Sequence, residues 1–221
     1  MWSGTKPSLN DPVSSKALAA VEVLFRETDP RRPRVFYCCY AGTHASVVVG
    51  WCHLGWRPST YQSIADLPFF DRRLTEDLGT PLFLGTDGFG GRVYALGTGV
   101  AGKELEMALV KRVSQRFPQA RAIFFNVRAV LDVRSRIGGF LSRRMGMVRA
   151  GRSLVARSLY RRLPLVEAVV ETSLDLERKW RDNEGQSTGE VLWLDAGDLV
   201  RCGSETGSAG KSGGAGWNSA G

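Results

Sequence analysis

The feature that most constrains this chain is a junction. A six-residue apolar run, Val35 to Tyr40, is followed at once by Ala41-Gly42-Thr43-His44 and then by the apolar run Ala45 to Leu54. The first run is short and rich in β-branched and aromatic residues, which suits a buried strand. The second is long enough for a helix, with Gly55 and Pro58 placed to stop it. A strand that turns through a glycine into a helix leaves unpaired backbone N–H groups and the positive end of the helix dipole at one point. That point favours a negative group. Gly42 permits close backbone approach, Thr43 and Ser46 offer hydroxyls, and His44 can donate a hydrogen bond or move a proton near neutral pH. The junction therefore reads as a strand–loop–helix motif of the anion-binding type.

The body continues the alternation. Ser63 to Asp71 reads as a short helical or turn segment. Pro81 to Gly85 and Arg92 to Leu96 flank Asp87, Gly88, Gly90 and Gly91, the signature of a hairpin. Lys103 to Arg116 carries Leu105, Ala108, Leu109 and Val113 on one side of a helix that Pro118 ends. Ala122 to Val127 is a second buried strand. Ser153 to Ala156 reads as a last strand of the body, and Leu163 to Trp180 as a helix. The order β-α-β-β-α-β-α predicts a single α/β domain whose mixed, mostly parallel sheet is flanked by helices.

The ends differ from the body. Residues 1–33 read as a flexible lead-in, punctuated by prolines, with a helix over Ser14 to Arg26. Residues 34–182 hold the α/β domain. Residues 183–221 read as a Gly/Ser-rich disordered tail, with a short local hairpin over Val191 to Val200. Apolar residues make up 43% and charged residues 24% of the chain, which places the body among ordinary globular domains. The polar start, Met1 to Asn10, lacks the profile of a secretory signal. The longest apolar stretch is broken by Gly42, Thr43, His44 and Ser46, so no transmembrane segment is expected. Cys38, Cys39, Cys52 and Cys202 form no disulfide ladder, and the cytoplasm is the expected compartment. With only two histidines and no C-x-x-C pair, spacing assigns neither a metal nor a cofactor.

Other segments offer chemistry. Gly97-Thr98-Gly99-Val100-Ala101-Gly102 fits G-x-G-x-x-G between a strand and a helix, the setting of a dinucleotide fingerprint. The acidic residue expected after the next strand is missing, with Asn126 and Arg128 in its place. If the strands before Gly42 and Gly97 are parallel neighbours, both loops border one crevice. Cys39 at the strand end, with His44, suggests a Cys/His-dependent hydrolase, although Ala45 stands where a cysteine phosphatase needs arginine. The lysine of a P-loop is absent as well. The net charge is +8, and eleven arginines against one acid lie between Arg121 and Arg162. That block reads as a footprint for nucleic acid or an anionic membrane, or as a solvated face. Within it, Arg143 and Arg144 suit phosphate oxygens. Asp71 and Asp87 could orient a proton carrier or serve as turn residues, and His53 reads as a satisfied core histidine.

Several separated motifs occur in a recognisable order. They are Cys39-Tyr40-Ala41-Gly42-Thr43-His44-Ala45-Ser46, His53-Leu54-Gly55, Leu67-Pro68-Phe69-Phe70-Asp71, Gly85-Thr86-Asp87, Ile137-Gly138-Gly139-Phe140-Leu141-Ser142-Arg143-Arg144 and Gly151-Arg152. On these, roughly residues 35–172 resemble domain of unknown function family 3189, found largely in Gram-positive spore-forming bacteria. The resemblance implies a compact bacterial domain and supplies no catalytic residues. The residues themselves point to a binder of a phosphorylated small molecule or nucleotide. Gly42, Thr43, Ser46, Asp87, Gly97, Gly99, Arg143 and Arg144 are its expected ligand contacts, with His44 and Cys39 as its reactive groups.

Overall fold

The computed structural model describes residues 9, 11–71, 75–131, 148–183 and 189–206. Strand β1 (Arg34–Cys39) is buried at all six positions and lies at the centre of a five-stranded sheet. The order is β2 (Leu82–Thr86), β3 (Arg92–Gly97), β1, β4 (Arg121–Asn126) and β5 (Glu190–Asp195). Strands β3, β1, β4 and β5 run parallel, and β2 pairs antiparallel with β3. The mixed, mostly parallel sheet expected from the element order is the one observed.

Successive strand residues point to opposite faces, so β1 feeds two separate cores. Val35, Tyr37 and Cys39 join α2 (Ala45–His53) and α6 (Leu163–Asp182) on one face. The same face also packs α3 (Tyr61–Ala65), α5 (Val148–Arg161) and the start of α7 (Ala196–Thr206). Phe36 and Cys38 join α1 (Pro12–Glu27) and α4 (Gly102–Arg116) on the other. There the Phe36 ring stacks between Tyr94, 4.9 Å away, and Phe124, 4.7 Å away, linking three neighbouring strands. Each such pair adds about 1 kcal/mol beyond the area it buries. Helix α2 is apolar on all sides because it is enclosed on all sides.

Two sequence expectations change. Ser153 to Ala156 lies inside α5, not in a strand. Val155, Ala156 and Leu159 are buried at helical spacing, and a four-residue run is too short to separate the two periods. Val191 to Val200 does not fold back on itself as a hairpin: its later half enters α7 and its earlier half belongs to β5. That strand takes the open edge of β4, where a parallel partner offers more than a lone two-stranded ribbon could. The sheet thus recruits residues on both sides of the expected body. Helix α1, capped by the Asp11 carboxylate, docks through Ala17, Val21 and Phe25. The segment Arg134 to Met147 and the chain from residue 207 onward lie outside the described residues. No helix among the described residues is long and apolar enough to cross a membrane.

Candidate functional site

The loop after β1 is built from inside outward. Gly42 has φ +70°, and a Cβ there would stand 2.6 Å from the Gly97 backbone nitrogen, so only glycine fits. Its N–H donates to Cys39 Sγ at 3.2 Å, and that sulfur lies 3.2 Å from Ser46 Oγ. Cys39 and Ser46 are therefore turned inward beneath the loop, 1% and 0% exposed, and Thr43 is buried beside them. Tyr40 is exposed, and His44 is the other residue of the loop that is not buried. His44 occupies the N-cap position of α2, where Thr43 would be expected from its side chain, and no side chain caps the helix.

A second segment fixes His44. His44 Nε2 lies 3.0 Å from Asp71 Oδ1, and each side chain is 11% exposed. The Asp71 N–H donates to the Thr43 carbonyl at 3.1 Å, tying the two loops together. Phe70 meets the imidazole edge-on at 5.5 Å. The segment is strained: Phe69 and Asp71 have φ +66° and +54°, the only non-glycine positive values among the described residues. Aspartate tolerates this region, whereas a bulky phenylalanine pays about 1 kcal/mol or more to occupy it. Strain of this kind persists where packing fixes a loop for a purpose. With the Nε2 proton directed at Asp71, Nδ1 faces Thr43 Oγ1 at 3.5 Å.

The two glycine loops do meet. In the parallel β1–β3 register Cys39 lies opposite Gly97. The Thr98 N–H donates to the Cys39 carbonyl at 2.9 Å and the Gly99 N–H to the Tyr40 carbonyl at 3.0 Å. The second loop, however, is filled by the protein itself. Gly97 packs on Ala41 and Leu78, Gly99 faces Val13, and Gly102 faces the Arg128 guanidinium. Arg128 Nη2 donates to Thr98 Oγ1 at 2.8 Å and to the Gly99 carbonyl at 2.7 Å, while its buried Nε has no partner. Behind it, burial pushes the Glu106 carboxyl up against the pull of Trp193, Arg128 and Thr98. These glycines serve close packing, and Arg128 is a cation at the crevice that no motif singled out.

The described arginines of the block that have named contacts lie at separate places. Arg121 donates to the Trp180 carbonyl at the start of β4, and Arg128 sits past its far end. The length of β4 separates them, about 20 Å. Arg152 donates to the Ala65 carbonyl and faces Phe70, and Arg157 lies over Tyr61. These four arginines thus make separate contacts, that of Arg157 on the surface. Arg143 and Arg144 lie outside the described residues.

Asp87 belongs to another place. It stands at the far end of α2, roughly 13 Å of helix away from Gly42 and Ser46. Its Oδ2 lies 3.2 Å from His53 Nε2, and Glu177 Oε2 lies 3.1 Å from the same nitrogen. The imidazole N–H direction aligns with Asp87, so Glu177 stands at ion-pair distance without a hydrogen bond. Asp87 Oδ1 accepts from the Phe89 and Gly91 N–H groups. On the other side of the ring, Tyr37 Oη lies 2.7 Å from His53 Nδ1. Burial would lower the His53 pKa, but Asp87 and Glu177 outweigh it and the net direction is up. Burial holds the Glu177 carboxyl up, whereas the His53, Phe89 and Gly91 contacts bring Asp87 down despite its own burial. Sequence reading singled out Asp87 and left Glu177 unnoticed, because a glutamate on an amphipathic helix carries no mark of burial.

No curated protein and no solved structure matches the chain. A family model described as a protein of unknown function, DUF3189, matches residues 34–173, the span that carries β1 to β4 and most of α6. The chain belongs to that family.

Proposed function

We propose that the chain binds the phosphate group of a small molecule or nucleotide at the mouth of the β1–α2 loop. What carries this reading is the His44–Asp71 pair, set by a strained segment at a helix start that has no side-chain cap. The first-turn residues Ala45, Ser46 and Val47 are buried. The contact therefore narrows to the surface-reaching part of the loop, at His44 and the neighbouring backbone. A protonated His44 donates from Nδ1 to a phosphate oxygen. The neutral ring, with its Nε2 proton on Asp71, instead presents Nδ1 as an acceptor, which suits proton transfer. Asp71 brings a negative charge close to the guest, and the imidazolium offsets it. Arg128, beside Tyr40, adds positive potential at the same edge of the sheet.

Cys39 has no part in this chemistry, since a thiol under the loop cannot reach a substrate; it supports the turn. The four arginines described above are engaged with the chain's own groups, which leaves less for a polyanion surface than their number suggests. A thermal-shift screen with nucleotides and sugar phosphates at millimolar concentration tests the proposal. The expected outcome is a Tm rise of about 3 °C or more with one chemical class, abolished in His44→Ala. No rise with any phosphorylated compound, or a rise that His44→Ala retains, overturns it.

A further inference from the structure

The far end of α2 poses a separate problem of charge. Tyr37 Oη donates its one proton to Ser173 Oγ at 3.1 Å, and Ser173 Oγ donates in turn to the Val169 carbonyl at 3.1 Å. Towards His53, 2.7 Å away, Tyr37 can therefore only accept, so Nδ1 carries a proton. His53 Nε2 then faces two carboxylates. A bare lone pair there would be repelled by both, so a positive charge must lie between Nε2, Asp87 and Glu177.

A proton meets that need incompletely. An imidazolium beside two carboxylates leaves a net charge of −1 unless Glu177, whose carboxyl burial holds up, takes a second proton, and the His53, Asp87 and Glu177 side chains are 0%, 1% and 0% exposed. Both Glu177 oxygens are buried with no hydrogen-bond partner. An uncompensated charge in such a place costs several kcal/mol. A divalent cation balances two carboxylates and a neutral imidazole to zero, and it gives the Glu177 oxygens a partner.

We infer that His53 Nε2, Asp87 Oδ2 and Glu177 form a buried zinc site tying the end of α2 to the β2–β3 turn and to α6. The donors fit the ion. Tetrahedral ligands held about 2.0 Å from zinc are about 3.3 Å apart, and Nε2 lies 3.2 and 3.1 Å from the two oxygens. One ligand atom from each residue falls within 4.8 Å of the others. One imidazole with two carboxylates suits zinc better than calcium or magnesium, which ask for six or more oxygens or several waters. Asp87 Oδ1 is held by backbone N–H groups, so Asp87 binds through one oxygen. Glu177 has both oxygens free to complete the set. The Tyr37 hydroxyl on Nδ1 is the outer partner that a metal-bound histidine needs to fix its ring. Gly91 makes room, because a Cβ there would collide with both carboxylates. The site is sealed, which makes it a structural site; it neither depends on nor supports phosphate binding at His44.

Zinc content of the full chain, measured by mass spectrometry after gel filtration, tests this directly. About one zinc per chain is expected, and its removal by a chelator should lower the Tm by roughly 5–10 °C, restored by added zinc. Glu177→Gln should weaken zinc more than about a hundredfold, and Tyr37→Phe, which removes only the outer partner, about tenfold. Should Glu177→Gln fail to fold, the visible spectrum of cobalt-loaded wild-type protein gives the coordination independently. Four-coordinate bands support the site and a six-coordinate aqua-like spectrum overturns it. Protein that holds no zinc and neither binds it nor gains stability from it also overturns the inference. The cluster then holds an imidazolium, with a proton shared by the carboxylates. Zinc that Glu177→Gln binds as tightly as wild type overturns it too, because the ion would then lie elsewhere.

Discussion

The chain has two histidines, and they sit at opposite ends of the nine-residue helix α2 under contrasting conditions. His44, before the first turn, reaches the surface and meets one carboxylate carried by a strained loop. His53, in the last turn, is sealed and meets two carboxylates and a tyrosine. The same side chain is thus placed once beside a single carboxylate at the edge of the fold and once between two carboxylates sealed in its interior. Exposure decides between these uses: near water a charge is cheap and mobile, whereas in the interior it must be matched on the spot.

The contrast predicts unequal costs for the same substitution. His53→Ala strands two carboxylates in the core and should lose about 3–5 kcal/mol in urea unfolding, the range for breaking a buried charged group's pairing. His44→Ala removes one pair whose side chains are 11% exposed and should lose about 1–2 kcal/mol, less than the loss at His53. Equal losses would break the comparison, because they would mean that His44 is as structural as His53.

How much of this was legible beforehand differs between the two ends. The strand Val35 to Tyr40, the helix Ala45 to Leu54 and the hairpin around Asp87 could be read because period and turn chemistry are local signals. His44 was legible for the same reason, since the loop that exposes it is contiguous. Asp71 was noticed as a group that could orient a proton carrier, but nothing in Leu67 to Asp71 announces two left-handed residues. The His53 cluster was not legible as a unit. Its members come from a helix end, a hairpin and a late helix, and only the packing of α6 on α2 brings Glu177 to the ring. In the arginine block the charge density was obvious, whereas the separate partners of Arg121, Arg128, Arg152 and Arg157 are set by the tertiary structure. β5 was read as part of a local hairpin because its actual partner, the open edge of β4, is remote in sequence.

The glycines flanking α2 sharpen the comparison at the level of the backbone. Gly42 and Gly55 both have positive φ, +70° and +91°, so alanine is strained at either. Around Gly55 there is nothing within 4 Å of an added Cβ, whereas at Gly42 the Cβ would meet the Gly97 nitrogen at 2.6 Å. Gly42→Ala should therefore cost about 3 kcal/mol, backbone strain plus a clash that no side-chain rotation relieves, and Gly55→Ala only about 1 kcal/mol. Chemical denaturation of the two variants measures the difference. If Gly42→Ala is as mild as Gly55→Ala, the two loops are not locked together and the mouth beside His44 is looser than its contacts imply.

The smallest expected effect is also the one that separates strain from stability. Phe69 is 41% exposed and lies in the left-handed region, so its side chain contributes little burial while its backbone is disfavoured. Phe69→Gly removes that penalty in the folded chain but also frees the unfolded one, and the two terms oppose each other. The net should be a gain or loss of no more than about 1 kcal/mol. A loop shaped for packing alone would lose nothing else. A loop strained to aim Asp71 at His44 would hold the pair less firmly once relaxed, and the thermal shift given by a bound phosphate compound should shrink although stability is kept. Measuring both quantities on Phe69→Gly decides between them. An undiminished ligand response with unchanged stability would mean that the strain beside His44 serves neither the fold nor the guest, and the distinction between the two ends of α2 would then rest on burial alone.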